Sequence, residues 1–408
     1  MTRLMTVRHH GPMHDRKICD GEVTTITTGG ATEVFVRCAP FASGTSKNGC
    51  RRQTQAIYES LAQLLEEVGA SLDHVVIEKA YFRNIVADFE DFEQIRCEAY
   101  RQRGIVGEQL PATTYLQQPP CRAGQDIELQ AYALVPDAEG RARVTSLPTP
   151  YDRVGMKLLQ VGKGRHLYIS NISGYEAGDE RPDDFRKQSD RMFDQALQML
   201  GDLGTTFPNV VRTWIYLSDI DRDYGTLNTS RNEFFKREKV NRLPASTGIG
   251  GGLFPGGNQC TFDLYTLLNP EIAEIEIMTT PTLNEAAEYG ASFSRGMRMT
   301  LPEKTYLFIS GTASVDEVGA TVHVGDVRLQ IERMLLNIRE LLRPHGANWT
   351  DLAHAVTYLK SADYLPIYQE ILAKWGVSSI PHTIVEANVC RPELLCEMEA
   401  VAIIPTEK

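Results

Sequence analysis

The last predicted strand carries two carboxylates that could do acid–base chemistry. Glu397 and Glu399 are two residues apart, so on a strand both side chains point to one face, while Cys396 and Met398 point to the other. Two neighbouring carboxylates raise each other's pKa, and partial burial raises it further. A glutamic acid that stays protonated near pH 7 can donate a proton to a substrate. The alternative is that both are solvated or salt-bridged strand residues.

Two other features could contribute to a binding site. The turn at Ser310 and Gly311 could present backbone N–H groups to a carboxylate, since glycine permits a close approach. Cys390 could line a pocket, although a free cysteine is usually a small core residue. The cysteines and histidines lack metal-site spacing, and Gly248 to Gly252 lacks the strand-to-helix setting of a phosphate loop. We therefore expect no metal and no cofactor.

The composition excludes some partners. The 408 residues carry 42 Lys and Arg against 53 Asp and Glu, a formal net charge of −11. Phosphate backbones are bound by clustered Lys and Arg, so we expect no nucleic acid as main ligand. No stretch reaches the roughly 18 apolar residues of a membrane helix, and the first residues lack the apolar middle of a secretory signal. We expect a cytoplasmic protein with free thiols and no membrane contact.

Two anchors recur three times along the chain. A glutamine within a helical pattern and a tyrosine that closes a β-rich run both recur after 135 and then 142 residues. The anchors are Gln53, Gln188 and Gln330, and Tyr81, Tyr216 and Tyr358. Two anchors rarely recur at the same spacings by chance, so we predict that the chain consists of three tandem repeats of one unit. We name these repeats copies one, two and three.

The order of predicted elements is the same in each copy. From Gln53 to Glu67, apolar residues have the spacing of a helix with one buried stripe. A glycine then stands where a helix end favours positive φ, and a β-rich run, a second helix and a Pro-led return to a closing strand follow. The glycines are Gly69, Gly204 and Gly346; the second helices contain Phe89 to Arg101, Tyr224 to Phe235 and Tyr364 to Trp375; the closing strands align from Ile127, Phe262 and Cys396.

Each copy is therefore predicted to be a sheet with two helices on one face. Segments rich in Gly, Pro and charge lie between the copies, and we expect domains at 1–145, 146–280 and 281–408. In this alignment the acid of Glu397 falls at Asp263 in copy two and at Glu128 in copy one. Copy one replaces the turn at Ser310 with Arg37 to Pro40, and copy two inserts Asn171. We expect one working cleft, beside copy three.

Copy three resembles the RidA (YjgF) family of small α/β proteins. The resemblance rests on YLFISGTASV, a helix ending in glycine, VTYLKSADY and the final EMEAVAI strand. It implies an α/β (α+β) fold of three tandem RidA-like (chorismate mutase-like) domains. Because that family forms trimers with ligand clefts between subunits, it also implies an intramolecular pseudo-trimer. An Arg that holds the substrate carboxylate in imine deaminases of the family is replaced by Thr113, Ser246 and His382.

Residues 205–403 are also similar to the chorismatases. The similar runs, in one order, are VVRTWIYLSDI, LPASTGIGG, the stretch from Tyr289 to Arg295, ISGTAS, the segment around His323 with Gln330 and Asn337, and Cys390 to Glu399. The resemblance implies cleavage of the enolpyruvyl ether of chorismate, which releases pyruvate.

This resemblance assigns roles to individual residues. Glu397 is the candidate acid, and Arg295 is the candidate cation for a small anionic substrate, with Tyr289 beside it as a stacking ring or hydroxyl donor. Arg212 is a second candidate, and it could equally form a salt bridge between copies. The alternatives are a RidA-like enamine or imine deaminase, and a non-catalytic scaffold that binds small metabolites. The protein could be a monomer with an internal pseudo-trimer or a higher homo-oligomer.

Overall fold

A computed structural model describes residues 5–10, 19–41, 49–174, 184–255, 257–285, 292–377 and 380–406. In these ranges the chain forms three mixed sheets, each covered on one face by two helices. No helix in the same ranges is long and apolar enough to cross a membrane.

The first sheet belongs to copy one. Its strands are β1 (Thr6–His10), β2 (Cys19–Thr27), β3 (Ala31–Pro40), β4 (Val75–Phe82), β5 (Ala112–Gln117), β6 (Ile127–Pro136) and the later β12 (Gly252–Leu253), in the order β1-β2-β3-β6-β4-β5-β12. β4 and β5 pair parallel, and the other neighbours pair antiparallel. The helices are α1 (Gly49–Glu67) and α2 (Ile85–Arg101).

The second sheet belongs to copy two. Its strands are β7 (Ala142–Leu147), β8 (Gly155–Val161), β9 (Gly164–Ser173), β10 (Val210–Leu217), β11 (Ala245–Gly250) and β13 (Cys260–Leu267), in the order β11-β10-β13-β9-β8-β7. The helices are α3 (Phe185–Asp202) and α4 (Ile220–Arg237).

The third sheet belongs to copy three. Its strands are β14 (Glu274–Ile277), β15 (Gly296–Thr300), β16 (Lys304–Ala313), β17 (Leu352–Leu359), β18 (His382–Glu386) and β19 (Cys396–Pro405), in the order β14-β15-β16-β19-β17-β18. The helices are α5 (Val327–Leu342) and α6 (Leu365–Trp375).

The predicted order of elements is confirmed in all three copies. Gly69, Gly204 and Gly346 have φ angles of 77°, 70° and 70°, as expected for the residue that ends a helix. In each sheet the closing strand lies in the middle and pairs antiparallel with both neighbours. Near the predicted domain limits, β7 spans residue 145 and pairs in the second sheet, while β14 precedes residue 280 and pairs in the third.

The three sheets close into a pseudo-trimer through three seams. In the one-two seam β5 packs against β9, and in the two-three seam β11 packs against β16. In the three-one seam β17 packs against β2, and the backbone N–H of His382 donates to Glu22. One hydrophobic cluster contains Phe35 of copy one, Trp214 of copy two and Phe308 of copy three.

Copy two also reaches into copy one beyond the seam. β12 adds two residues to the edge of the first sheet, where Gly252 pairs with Gln117. The next residue, Phe254, stacks on Phe89 of α2 with ring centroids 3.8 Å apart. The first sheet is therefore completed by residues that belong to copy two.

The strand pairing corrects the predicted alignment of copy two. Asp263 stands opposite Trp214, as Glu399 stands opposite Val356, so Asp263 corresponds to Glu399. The residue that corresponds to Glu397 and Glu128 is Thr261. Prediction from sequence was wrong by two residues because a shift of two leaves the same side chains on the same face of a strand, and the alternating pattern cannot detect it.

Candidate active site

Glu397 lies in the two-three seam and is 4% exposed. Its carboxylate rests against Gly311, where a β-carbon would overlap with Oε1. The ladder between β16 and β19 shifts register between Ile309 and Thr312, so Ser310 and Gly311 form a bulge. The bulge and the missing side chain of glycine together make room for the acid.

The surroundings of Glu397 favour its protonated form. Burial, and then the negative charge of Glu399, raise the pKa of Glu397 to about 8, although Arg212 and Arg295 act in the opposite direction. No residue in the described ranges donates a hydrogen bond to this carboxylate. Near neutral pH the group therefore holds a proton.

Arg212 lies next to this acid and is 1% exposed. Its Nη2 donates to Glu399 Oε2 at 2.7 Å and to Thr247 Oγ1 at 2.6 Å. Trp214 Nε1 donates to the second oxygen of Glu399 at 3.0 Å. Nη1 of Arg212 is buried and has no hydrogen-bond partner among the described residues. The predicted salt bridge between copies is present, and it leaves one edge of the guanidinium available to an anion.

Arg295 is the second cation near the acid. Its Nε donates to the carbonyl oxygen of Asn284 at 2.8 Å, and its guanidinium lies 5.6 Å from the ring of Phe293. The charge of Arg295 acts on Glu397, since it lowers the pKa of that carboxyl. Tyr289, the predicted neighbour of Arg295 in the site, lies outside the described residues.

The turn at Ser310 and Gly311 connects copies two and three. Ser310 Oγ accepts from the backbone N–H of Ser246 at 2.9 Å, and the N–H of Gly311 donates to Thr247 Oγ1 at 3.0 Å. The N–H of Ser310 donates to the carbonyl oxygen of Arg295 at 3.1 Å. The first two bonds hold the seam together in the present structure, and the contact of this turn with a substrate stays a prediction.

Cys390 is half-buried at the same seam. Burial, and then the nearby Glu397, raise the pKa of its thiol to about 12. The thiol is therefore protonated and suited to packing, and its predicted pocket role stays a prediction.

The three residues at the position of the family's Arg point away from the seams. Arg96 Nη2 donates to Thr113 Oγ1 at 2.7 Å, and Ser246 Oγ accepts from Thr213 Oγ1 at 2.8 Å. The ring of His382 likewise bonds within its own copy, to Thr357 Oγ1 at 2.9 Å. Strand alternation turns the next residue of each copy towards the seam, and these residues are Thr114, Thr247 and Thr383. Sequence analysis missed these threonines, although the alternation was available to find them.

The other two seams differ from the two-three seam. In the three-one seam Arg37 donates to both oxygens of Glu128, at 2.6 and 3.1 Å. In the one-two seam Thr261 carries no charge, and Asp263 accepts from Thr114 and from the N–H of Asn171. Among the described residues no cluster of His, Cys, Asp and Glu is arranged to hold a metal ion.

The comparison with family models decides the family. The model described as Endoribonuclease L-PSP matches residues 156–259 and 285–404, more than half of the chain. The chain belongs to the endoribonuclease L-PSP family.

Curated proteins similar to this L-PSP member include a synthase, a deaminase and a RutC family protein. It is 29% identical over 224 residues to a 3-hydroxybenzoate synthase of Streptomyces hygroscopicus. This match covers 48% of this chain and 64% of the synthase. It is 28% identical over 98 residues to a RutC family protein of Pyrococcus abyssi, and 29% identical over 98 residues to the 3-aminoacrylate deaminase RutC of Acinetobacter baylyi. Each of these two matches covers 24% of this chain and 77% of the relative. The chain thus spans less than two thirds of the synthase.

A solved chorismatase structure has the same fold as this L-PSP member. The two superpose with a TM-score of 0.60 at 18% identity, over 81% of this chain and 93% of the chorismatase. The predicted fold of three RidA-like domains is confirmed.

Proposed function

We propose that this protein cleaves the enolpyruvyl ether of chorismate or of a related small carboxylate and releases pyruvate, with Glu397 as the general acid. The observation that carries the proposal is a carboxyl buried in a seam, beside a guanidinium whose Nη1 has no hydrogen-bond partner among the described residues. Burial raises the pKa of this carboxyl to about 8. The name of the synthase relative and the fold of the chorismatase support the same reaction class.

The proposed reaction begins with proton transfer from Glu397 to the terminal CH2 carbon of the enol ether. The other carbon of the double bond, which is attached to the ether oxygen, becomes the centre of an oxocarbenium ion, and Glu397 becomes a carboxylate. Water or a hydroxyl of the ring attacks this carbon and gives up a proton, which returns to Glu397, and the bond from the carbon to the ether oxygen then breaks. The electron pair leaves with that oxygen, which takes up a proton. The three-carbon fragment departs as pyruvate when water is the nucleophile.

The two arginines supply the charge that an anionic substrate requires. Arg212 presents Nη1 to a substrate carboxylate while Glu399 and Thr247 fix the orientation of its other edge. Arg295 adds a second positive charge within electrostatic reach of the acid. We assign Ser310, Gly311 and Cys390 to the surroundings of the bound substrate, and the role that the resemblance gives to Tyr289 stays a prediction.

A deaminase is the second candidate, because the chain matches the 3-aminoacrylate deaminase RutC over 98 residues. The seam-facing threonines that follow the family's Arg position offer a hydroxyl where a bidentate guanidinium would be required. A scaffold that binds small metabolites without turnover is the third candidate.

Incubation with chorismate, with released pyruvate coupled to lactate dehydrogenase, tests the first candidate. Glu397→Gln should lower kcat by about 10²–10⁴-fold, since it removes the proton donor. The matched control is Glu128→Gln, which changes the acid at the same strand position of copy one and should keep kcat within about threefold of the parent protein. Because the acid must be protonated, kcat/KM should fall as the pH rises above about 8.

Two results would contradict the proposal. One is the absence of pyruvate above background, and the other is equal turnover by Glu397→Gln and the parent protein. Trapping of 2-aminoacrylate with semicarbazide then separates the other candidates, because a deaminase accelerates loss of the trapped species and a scaffold does not.

A further inference from the structure

A cavity of about 90 Å³ lies between the three sheets and is lined by residues of all three copies. We name it the axial cavity. Trp214 contributes to its wall, but Glu397, Arg295 and Gly311 do not. The axial cavity is therefore separate from the candidate active site and requires its own explanation.

Each copy contributes an aromatic ring to the axial cavity from the same strand position. These rings are Phe35 on β3, Tyr168 on β9 and Phe308 on β16. Phe35 stands opposite Tyr132 with centroids 5.0 Å apart, and Tyr168 stands opposite Tyr265 with centroids 4.7 Å apart.

Copy three departs from this pattern at one position. Phe308 stands opposite Val401, which takes the place that a tyrosine has in copies one and two. Val401 lines the axial cavity and is 6% exposed. The smaller side chain leaves space beside three aromatic rings. Since copies one and two fill this position with a tyrosine, a single aromatic ring with a hydroxyl matches the space in size and chemistry.

The wall also contains polar groups without partners. Ser170 is 3% exposed, and its hydroxyl has no hydrogen-bond partner among the described residues. Burial lowers the pKa of His354 to about 4, so its ring is neutral, and its nitrogens likewise have no partner among the described residues. A ligand hydroxyl could donate to the imidazole and accept from Ser170.

The charges around the axial cavity are already balanced. Lys79 donates to the hydroxyl of Tyr216 at 2.8 Å and lies 3.7 Å from Asp263. A charged ligand would be buried without a counter-ion, so a neutral ligand fits best. The volume of about 90 Å³ exceeds the space that a single water requires, so the axial cavity has room for a larger guest.

We propose that the axial cavity binds a neutral phenol, a single aromatic ring with one hydroxyl. The ring packs among Phe35, Tyr168 and Phe308 in the space next to Val401, and the hydroxyl reaches Ser170 and His354. None of the candidate residues Glu397, Arg295, Arg212, Ser310 and Gly311 lines the axial cavity, so this site is independent of the proposed reaction. Trp214 lines the axial cavity and also donates a hydrogen bond to Glu399.

Titration calorimetry of the full chain with phenol, supported by a crystal structure of the complex, tests the proposal. One phenol should bind saturably to the axial cavity. Val401→Phe, which restores an aromatic ring in copy three, should weaken phenol at least about 100-fold, while the melting temperature stays equal or rises because a void is filled. Ser170→Ala should weaken phenol about five- to tenfold but leave the binding of toluene unchanged, since toluene has no hydroxyl.

Three results would overturn the proposal. They are the absence of saturable phenol binding to the parent protein, equal affinity in a folded Val401→Phe variant, and a crystal structure with phenol in the two-three seam. If Val401→Phe does not fold, Ser170→Ala decides, and equal loss of phenol and toluene affinity in that variant would also contradict the assigned orientation and the proposal with it.

Discussion

The two-three and three-one seams contain the same acid in different surroundings. Glu397 and Glu128 occupy equivalent positions on β19 and β6, opposite Tyr358 and Tyr81. Glu128 faces Arg37, which donates two hydrogen bonds to it, whereas Glu397 faces Gly311. The neighbouring strand thus supplies an ion-pair partner to the acid of the three-one seam and a glycine to the acid of the two-three seam.

The backbone differs between the two seams as well. β3 and β6 pair without interruption through Arg37 and Cys38, but β16 and β19 shift register at Ser310 and Gly311. In the three-one seam the uninterrupted ladder directs the side chain of Arg37 at Glu128. In the two-three seam the bulge places Gly311, which has no side chain, against Glu397. The two seams therefore differ in backbone geometry as well as in the ion pair.

Arg37→Met should leave the acid of the three-one seam without its ion-pair partner. Glu128 is 1% exposed, so removal of its partner leaves a buried carboxylate, and the free energy of unfolding should fall by about 3–5 kcal/mol. Urea denaturation at pH 7 measures this change. Arg37→Met/Glu128→Gln should recover part of the loss, and a cost below about 1 kcal/mol for the single variant would show that the ion pair does not distinguish the seams.

The stability of the protein should depend on the protonation of Glu397. The pKa of Glu397 is raised from 4.5 to about 8, so the folded state keeps a proton that the unfolded state loses in this pH range, and stability falls as pH rises through it. Glu397→Gln lacks this dependence. It should match the parent protein near pH 4 and exceed it by about 4–5 kcal/mol at pH 9, since the pKa is raised from 4.5 to about 8 and one pKa unit equals about 1.4 kcal/mol.

Denaturant titrations of both proteins across this pH range measure the difference. Parallel profiles for Glu397→Gln and the parent protein would mean that Glu397 is not buried as a neutral group, and the comparison with Glu128 would lose its basis.

Gly311→Ala should disturb the acid by sterics alone. The added methyl group overlaps with the carboxylate of Glu397, and we expect kcat/KM for pyruvate release to fall about 10²-fold, as a displacement of about 1 Å can cause. Gly201→Ala is the matched control, because no atom lies within 4 Å of its added carbon and it lies in α3. Full activity of Gly311→Ala would show that glycine is not required beside the acid.

Arg212→Lys should have the smallest effect of the four. The substitution keeps the positive charge but removes the planar fork that contacts Glu399, Thr247 and the substrate. We expect KM to rise about tenfold with kcat little changed, measured in the coupled pyruvate assay. An unchanged KM would assign the substrate carboxylate to Arg295.

The fold could be predicted because two anchors kept their register in three copies. The glycines after the first helices and the presence of the second helices followed from local pattern, although two of the second helices begin four residues earlier than the predicted stretches. The register of copy two could not be obtained in this way, because Thr261 and Asp263 face the same side and a sequence pattern of period two fits either alignment.

The candidate site was accessible to sequence analysis only in part. Glu397 and Glu399 could be paired from their spacing, but Trp214 and Thr247 belong to a different copy from Glu399. Contacts between copies depend on how the sheets close, which no pattern within one copy contains. Arg212 forms hydrogen bonds through Nη2, while Nη1 has no partner among the described residues, and this difference is visible only in the structure.

The extension of copy two into the first sheet has a consequence for biosynthesis. Because β12 and Phe254 complete the edge of the sheet and cover Phe89, a nascent chain must leave the ribosome to residue 254 before copy one has all its contacts. A gene cut between the first two units would therefore produce an amino-terminal fragment with an exposed strand edge, prone to self-association.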